Sequence, residues 1–392
     1  FWNVIQKYYD IFGMNSELMI KRAQLSYAQQ RLFKGKALII YGARQVGKTT
    51  FCEQLLQGLQ KKVLRLNGDY ITTRQELAEP SIAELQRIIG DHEVVFIDEA
   101  QRLKEPGLLL KIIVDQMPQV QVIATGSSSF TLAGHVNEPL TGRKYVLHLS
   151  PLSYRELVDH TDYLSEKNAL SSRLLYGSYP EVVTDPDMAE EHLRLLAESY
   201  LYKDLFALEE INRPQLFDKL IQALALQVGN EVRLSELAQT VGADHKTTAK
   251  YLDLLEQAFV IFMLPAFSRN VRNEIKKGRK VYFYDNGIIN AITSNFNTLN
   301  NRNDVGALWE NYMVAERRKF LEQQRLFRRT FFWRTTQQQE VDYIEEEGEQ
   351  LMAVEFKWKD KGKKDVPLTF RKAYPHATSQ VISSADYHEF LY

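Results

Sequence analysis

The sequence predicts an α/β fold that begins with a parallel β-sheet covered by helices on both faces. Apolar runs typical of buried strands alternate with stretches of helical periodicity between residues 37 and 124, and this alternation indicates strand–helix–strand units. A glycine-rich stretch at residues 42–50 directly follows the first of these runs. The chain has 392 residues, whereas one domain ordinarily takes roughly 150. We therefore expect further domains after the sheet.

The glycine-rich stretch reads Gly-Ala-Arg-Gln-Val-Gly-Lys-Thr-Thr and is followed by a helical pattern. Its glycines let the backbone turn so that N–H groups face a phosphate chain, with the positive end of the helix behind them. Lys48 would then reach the β and γ phosphates, and Thr49 would hold Mg²⁺. The predicted nucleotide-binding residues are Gly42, Ala43, Arg44, Gln45, Val46, Gly47, Lys48, Thr49 and Thr50.

Two acidic residues, Asp98 and Glu99, come directly after the apolar run at residues 94–97. In open α/β sheets, ligands bind beyond the carboxyl ends of the strands. We expect Asp98 to act through water on Mg²⁺ and Glu99 to polarise the attacking water. An Asp-Glu pair alone is more often the start of a solvated loop, but the glycine-rich stretch upstream favours the catalytic interpretation.

Ser127 and Arg143 are further candidates for the same site. Ser127 opens a run of three serines after the strand at residues 122–124; its hydroxyl could sense the γ phosphate or orient water, although an ordinary turn explains the run equally well. Arg143 is a candidate arginine finger, because a fixed positive fork suits the charge that grows on a transferring phosphoryl group. The sequence leaves open whether Arg143 acts in its own chain or on a neighbour. The absence of an Asn-Lys-x-Asp motif favours ATP over GTP.

These motifs together resemble a prokaryotic branch of the AAA-type ATPases, whose members carry a carboxyl-terminal domain described only as of unknown function. The resemblance implies a P-loop NTPase domain that binds ATP and Mg²⁺ and hydrolyses ATP, and it names no cellular task. It rests on residues 42–49, 96–101, 125–129, 141–143 and 149–157.

The middle of the chain predicts two helical modules. Residues 151–210 have helical spacing and are expected to form a lid or connector. Residues 211–270 predict a winged helix-turn-helix, in which Gly242 ends a short helix and Asp244 caps the next one. In a DNA-binding protein this second helix would lie in the major groove. Packing against another domain or a dimer partner is the alternative. The residues presented to DNA would be His245, Lys246, Thr247 and Lys250.

The carboxyl-terminal region contains a candidate metal site. Two strand patterns, at residues 339–344 and 351–358, flank an acidic turn and predict a hairpin. Alternation along a strand places Glu355 and Lys357 on one face, and the hairpin partner can bring Asp342 beside them. In metal-dependent phosphodiester hydrolysis, the acids hold Mg²⁺ and the lysine favours the nucleophile. Glu310, from the preceding helix, could complete the metal shell.

This constellation resembles the PD-(D/E)xK nuclease superfamily. Asp342, Glu355 and Lys357 match its motif one by one, whereas Val341 stands where the motif has proline. The resemblance implies an α/β restriction-endonuclease-like domain. A Glu-x-Lys pair on an exposed strand face is ordinarily a plain ion pair, and the predicted hairpin with Asp342 is what favours the nuclease interpretation.

The leading hypothesis is a cytoplasmic ATPase that acts on DNA through the winged helix and the nuclease-like domain. The alternative is an ATP-dependent regulatory switch whose carboxyl-terminal domain is an inactive scaffold for a protein partner or a second copy. Both hypotheses agree with the composition, because the chain has one cysteine and a net charge of −1. It also has no apolar run near the ~20 residues that a membrane span needs. The predicted domains are a helical arm (1–35), the ATPase domain (36–150), the lid (151–210), the winged helix-turn-helix (211–270) and the nuclease-like domain (271–392).

Overall fold

The structure is a computed structural model, and it describes residues 19–127, 140–198, 213–268, 278–359 and 366–392. Parts of several predicted features lie outside these ranges. They are the first part of the helical arm (1–18), the serines at positions 128 and 129, the end of the lid (199–210), both ends of the winged helix-turn-helix (211–212 and 269–270) and two stretches of the nuclease-like domain (271–277 and 360–365). The described part of the arm contains one helix, α1 (Leu25–Arg31).

A parallel sheet forms the centre of the amino-terminal part. Its five strands are β1 (Ala37–Tyr41), β2 (Val63–Asn67), β3 (Val94–Asp98), β4 (Gln121–Gly126) and β5 (Lys144–His148). They lie in the order β2-β3-β4-β1-β5, and every neighbouring pair is parallel. The predicted α/β class with a parallel sheet is confirmed.

Helices cover both faces of this sheet. Because side chains alternate along a strand, β1 contributes to two cores. Leu38 and Ile40 share one core with Phe51, and Ile39 shares the other with Leu110. The helices around the sheet are α2 (Lys48–Gln57), α3 (Ile71–Glu76), α4 (Ile82–Ile89) and α5 (Pro106–Gln116).

The loops that follow β1, β3 and β4 meet at one edge of the sheet, because parallel strands end on the same side. Residues 42–47 follow β1, Asp98 is the last residue of β3 and Glu99 follows it, and Ser127 follows β4. The fold thus brings the glycine-rich stretch, the two acids and Ser127 to a single edge, as the sequence predicts.

Short helices follow the first sheet. They are α6 (Tyr154–His160), α7 (Tyr163–Asn168), α8 (Leu170–Tyr176), α9 (Pro180–Thr184) and α10 (Ala189–Ala197). Helix α6 begins with a capping box, in which the Ser153 hydroxyl accepts from the Glu156 N–H and the Glu156 carboxylate accepts from the Ser153 N–H. The reciprocal bonds fix where the chain leaves the sheet.

A three-stranded antiparallel sheet packs with the next helices. Residues 231–232 (β6), 279–283 (β8) and 261–265 (β7) form it, in the spatial order β6-β8-β7. Gly242 ends one helix in the left-handed conformation, and the Asp244 side chain caps the next, as the sequence predicts. The central strand lies beyond residue 270, so this sheet joins segments from both sides of a predicted boundary. The elements are α11 (Pro214–Leu226), β6 (Glu231–Val232), α12 (Leu234–Val241), α13 (His245–Gln257), β7 (Ile261–Pro265) and β8 (Arg279–Phe283).

The carboxyl-terminal part contains a four-stranded sheet. Its elements are α14 (Asn286–Thr293), α15 (Val305–Gln323), β9 (Arg329–Arg334), β10 (Glu340–Glu347), β11 (Gln350–Lys357), α16 (Leu368–Ala373), β12 (Thr378–Ser383) and α17 (His388–Leu391). The strand order is β12-β11-β10-β9. The predicted hairpin is confirmed, since β10 and β11 are antiparallel neighbours, and β12 runs parallel to β11. Trp309 and Met313 of α15 share a core with Val354 of β11.

Of the helices in the described ranges, none is both long enough and apolar enough to cross a bilayer.

Gly177 allows a close approach between α8 and the start of α14. Its φ is +69°, and a Cβ there would lie 1.8 Å from the Asp285 carboxylate, which is held by the N–H groups of Ser178 and Gly287. We expect Gly177→Ala to lower the free energy of unfolding by about 1–3 kcal/mol more than Gly90→Ala, because overpacking adds to backbone strain. Gly90 also has a positive φ but has open space around it. Urea denaturation measures both; equal losses would contradict the steric argument.

Candidate functional site

The glycine-rich loop needs glycine at two positions for different reasons. A Cβ on Gly42 would lie 2.1 Å from the Leu149 carbonyl oxygen, so the loop passes too close to the end of β5 for any side chain. Gly47 has a φ of +87°, a conformation that glycine adopts without strain. It directly precedes α2, so the loop ends at the positive end of a helix.

The Lys48 ammonium lies inside the loop. The side chain is buried, and its Nζ donates to the carbonyl oxygens of Gly42 at 3.1 Å and Ala43 at 2.8 Å. These bonds hold the positive charge where the backbone would wrap around a phosphate chain. Phosphate oxygens can replace the carbonyl oxygens as stronger, charged acceptors.

Thr49 and Asp98 meet across the edge of the sheet. The Thr49 hydroxyl donates to the Asp98 carboxylate at 2.9 Å, and the Thr125 hydroxyl donates to the other oxygen of the same carboxylate. A hydroxyl and a carboxylate side by side are the oxygen ligands that Mg²⁺ uses in phosphate sites. These residues therefore fit the predicted Mg²⁺ site, in which Thr49 would bind the ion directly and Asp98 would bind it through water.

Glu99 is held in an unusual backbone conformation. Its φ is +51°, and its N–H donates to the Thr125 hydroxyl at 3.1 Å. The Glu99 carboxylate accepts from the Gln101 amide, which also donates to the Ser127 hydroxyl at 3.1 Å. Gln101 thus connects the two predicted catalytic residues, a role that the sequence analysis missed because a glutamine two residues beyond an acid has no distinctive pattern.

A cavity of about 790 Å³ opens at this edge of the sheet, within the range of small-molecule sites. Most of its walls come from three parts of the chain, namely residues 19–22, the glycine-rich loop with α2, and residues 180–192 of α9 and α10; Glu99 and Leu152 complete the lining. Lys48, Thr49 and Glu99 line it, as do Glu181 and His192 from the helices expected to form the lid. The sequence analysis assigned no role to either lid residue.

Arg22 also lies at this site, although the sequence analysis assigned it no role. Its side chain is 5% exposed and lines the cavity. The guanidinium donates to the Val46 carbonyl of the loop at 2.8 Å, to the Ser150 carbonyl at 2.6 Å and to Glu156 at 2.9 Å. An arginine before the first strand carries no sequence signal for a partner 134 residues away.

Arg143 lies at the opposite end of the sheet from the glycine-rich loop. Its carbonyl oxygen accepts from the Ala37 N–H, at the amino end of β1, and its guanidinium pairs with Asp115 of α5 at 2.6 Å. The loop follows the other end of β1, which is about 15 Å away at ~3.3 Å per residue. Arg143 does not face the nucleotide site of its own chain, so only action on a neighbouring copy stays a prediction.

The carboxyl-terminal candidates also converge. The Lys357 ammonium lies 2.7 Å from Glu355 and 3.8 Å from Asp342, and Asp342 accepts from the Phe356 N–H at 2.8 Å. Burial, and then the neighbouring Asp342 charge, raise the pKa of Glu355 to about 7. The hairpin register thus unites the three predicted residues.

Glu310 reaches the same cluster through a buried lysine. Lys280, which is 1% exposed, lies 2.9 Å from Glu310 and 2.5 Å from Glu340. The Tyr282 hydroxyl donates to Glu310 at 2.7 Å. Burial, and then the Asp342 charge, raise the pKa of Glu310 to about 7.

Within the described ranges, no group of three or more His, Cys, Asp or Glu side chains is arranged to hold a metal ion. Lys280 and Lys357 instead neutralise the carboxylates. Metal binding by Glu310, Asp342 and Glu355 stays a prediction. For these carboxylates to bind a metal ion, at least one of their ion pairs with lysine has to break.

Comparison with protein families divides the chain into three. Residues 34–158 match the AAA domain, residues 167–299 match the domain of unknown function DUF8612, and residues 305–388 match the domain of unknown function DUF4143. The first match, to the AAA domain, agrees with the glycine-rich loop, the two acids and the cavity already described, and it supports an AAA-type P-loop domain in this part of the chain.

Curated relatives span bacteria and archaea. An uncharacterized protein of Mycobacterium tuberculosis is 26% identical over 339 residues, which cover 84% of this chain and 72% of that protein. Uncharacterized proteins of Haemophilus influenzae and Methanocaldococcus jannaschii are 26% and 24% identical; the aligned parts cover 70% and 76% of this chain and 73% and 70% of those proteins.

A solved structure from Pyrococcus horikoshii, a signal transduction ATPase with numerous domains and a tetratricopeptide repeat sensor, is 12% identical. The match covers 79% of this chain and 48% of that one, with a TM-score of 0.30, which is too low to establish a shared fold.

The two lysines of the carboxylate cluster should differ in their effect on stability. We expect Lys280→Met to lower the free energy of unfolding by about 3–5 kcal/mol, because it removes the buried ammonium group that pairs with both Glu310 and Glu340. Lys357→Met should cost about 1 kcal/mol or less, because the Lys357 side chain is 47% exposed. Urea denaturation at neutral pH compares the two, and similar losses would contradict this account of the cluster.

Proposed function

We propose that this chain hydrolyses ATP in a Mg²⁺-dependent reaction at the edge of its parallel sheet. The observation that carries the proposal is the 2.9 Å contact between the Thr49 hydroxyl and the Asp98 carboxylate, at the cavity that Lys48 and Glu99 also line. Binding alone requires a phosphate cradle, whereas hydrolysis also requires a metal-binding pair and a carboxylate for the water. The loop with Lys48, the Thr49–Asp98 pair and Glu99 are the residues that we assign to these three tasks.

Each side chain has a distinct part in this reaction. The loop N–H groups and Lys48 bind the β and γ phosphates, and Thr49 with Asp98 would hold Mg²⁺, which neutralises charge developing on the phosphates. Glu99 orients the attacking water and accepts its proton. Ser127 lies close enough to the Glu99–Gln101 pair to help hold that water.

Replacement of Glu99 should separate binding from turnover. We expect Glu99→Gln to bind Mg·ATP about as tightly as wild type but to lower kcat by about 10²–10⁴-fold, the usual contribution of a general base. Lys48→Ala should instead lose binding. Phosphate release and fluorescent-nucleotide titration measure the two quantities. Wild-type turnover no higher than that of Lys48→Ala would refute the proposal.

A second candidate function is metal-dependent cleavage of DNA by the carboxyl-terminal cluster. The convergence of Asp342, Glu355 and Lys357 favours it, and the exposed His245 and Lys246 at the start of α13 could contact a phosphate backbone. The buried pairing of Lys280 favours the alternative, in which this part is an inactive scaffold for a partner.

Cleavage and DNA binding are tested separately. If the cluster is a nuclease, Asp342→Ala should abolish Mg²⁺- or Mn²⁺-dependent cleavage of double- and single-stranded DNA by wild type. If α13 contacts phosphates, binding should weaken steeply with salt, and Lys246→Ala should reduce the salt slope by about one. Equal background cleavage by wild type and Asp342→Ala, with no binding at low salt, would leave the scaffold function.

A further inference from the structure

One short segment, residues 150–156, contacts both the nucleotide site and the long carboxyl-terminal helix α15; we call it the junction. It follows β5 and includes the start of α6. Toward the nucleotide site, Arg22 binds both ends of the junction, through the Ser150 carbonyl and the Glu156 carboxylate, while holding Val46 of the glycine-rich loop. The position of the junction therefore fixes the position of Arg22 against the loop.

Toward α15, the junction makes three polar contacts. Its Tyr154 N–H donates to Glu316 at 2.7 Å, and its Leu152 carbonyl accepts from Lys319 at 3.1 Å. The Ser153 hydroxyl donates to the Gln323 side chain at 2.9 Å. These three side chains of α15 span two turns of the helix, whose earlier residue Glu310 belongs to the carboxylate cluster.

The charged groups in this arrangement are almost fully buried. Arg22, Glu156, Glu316 and Lys319 are 5%, 2%, 3% and 2% exposed, and Glu316 pairs with Lys319 at 2.7 Å. In such surroundings water cannot replace a broken bond, and each unsatisfied group is costly. If α15 moves, the junction therefore has to move with it. Arg22 then also moves, because it is bonded to Glu156 of the junction.

We propose that Glu316 and Lys319 are positioning residues for the nucleotide site, which they influence through the junction and Arg22. Nucleotide affinity then depends on the helix that carries Glu310. By linkage, nucleotide binding biases the position of that helix to the same extent. The proposal requires that the chain binds nucleotide but does not depend on hydrolysis.

A plain structural role makes a different prediction. If the contacts only fasten two parts of the chain together, their loss lowers stability but leaves the affinity of the folded protein unchanged. Glu345 provides the matched control, because it is also 2% exposed and bonds to α15 through Arg317 at 2.6 Å. Its described contacts do not include the junction.

The experiment measures the affinity of fluorescent ADP and of a non-hydrolysable ATP analogue for the folded full chain. We expect Glu316→Gln to weaken binding about tenfold, within the usual range of coupling between sites, and Glu345→Gln to leave it unchanged. In a double-mutant cycle with Glu156→Gln, the combined loss should be smaller than the product of the single losses, because both act on the same path.

Gln323→Met provides a second variant if Glu316→Gln does not fold. Gln323 is half-buried, and methionine is similar to glutamine in size but cannot accept the hydrogen bond from Ser153. We expect this variant to bind nucleotide about threefold more weakly, which is within the usual range of coupling between sites. Wild-type affinity in the folded α15 variants would overturn the proposal. Equal weakening by Glu345→Gln would also overturn it, because the effect would not be specific to the junction.

Discussion

The parallel pairing of β3, β4 and β1 is the constraint on which the nucleotide site depends. Because the three strands run in one direction, their following loops share one edge, and Lys48, Asp98 and Ser127 come together although they are far apart in the chain. The same constraint places Arg143 at the other edge, since it precedes β5, which is parallel to β1. One geometric rule thus brings three candidates together and places the fourth, Arg143, away from the nucleotide site of its own chain.

Buried ion pairs connect this site to the rest of the molecule. A pair such as Arg22–Glu156 gains little net stability, because both charges lose their hydration. The pair instead fixes geometry, because the planar guanidinium holds two backbone carbonyls and a carboxylate in one arrangement. The contacts of Glu316 and Lys319 with the junction have the same character, and they connect parts of the chain that match separate families.

In the carboxylate cluster, the predicted residues meet, but a buried lysine that the motif does not include also pairs with the carboxylates. Alternation and the hairpin suffice to predict that Asp342, Glu355 and Lys357 meet. Lys280 comes from β8, a strand of another sheet, and its pairing with Glu310 could not be read from a local pattern. In this cluster each lysine pairs with two carboxylates, so any divalent cation has to compete with an ammonium group.

The sequence by itself determined the parallel sheet, the phosphate loop, the two acids beyond β3 and the carboxyl-terminal hairpin, because each depends on local periodicity or spacing. It also determined which residues end α12 and begin α13, since Gly242 acts there through its own backbone conformation and Asp244 through a side chain that caps a nearby N–H group. Only the tertiary structure decided the roles of Arg22, Gln101 and Lys280 and the distance of Arg143 from the loop. Those depend on contacts between distant segments, which are set by sheet order and burial.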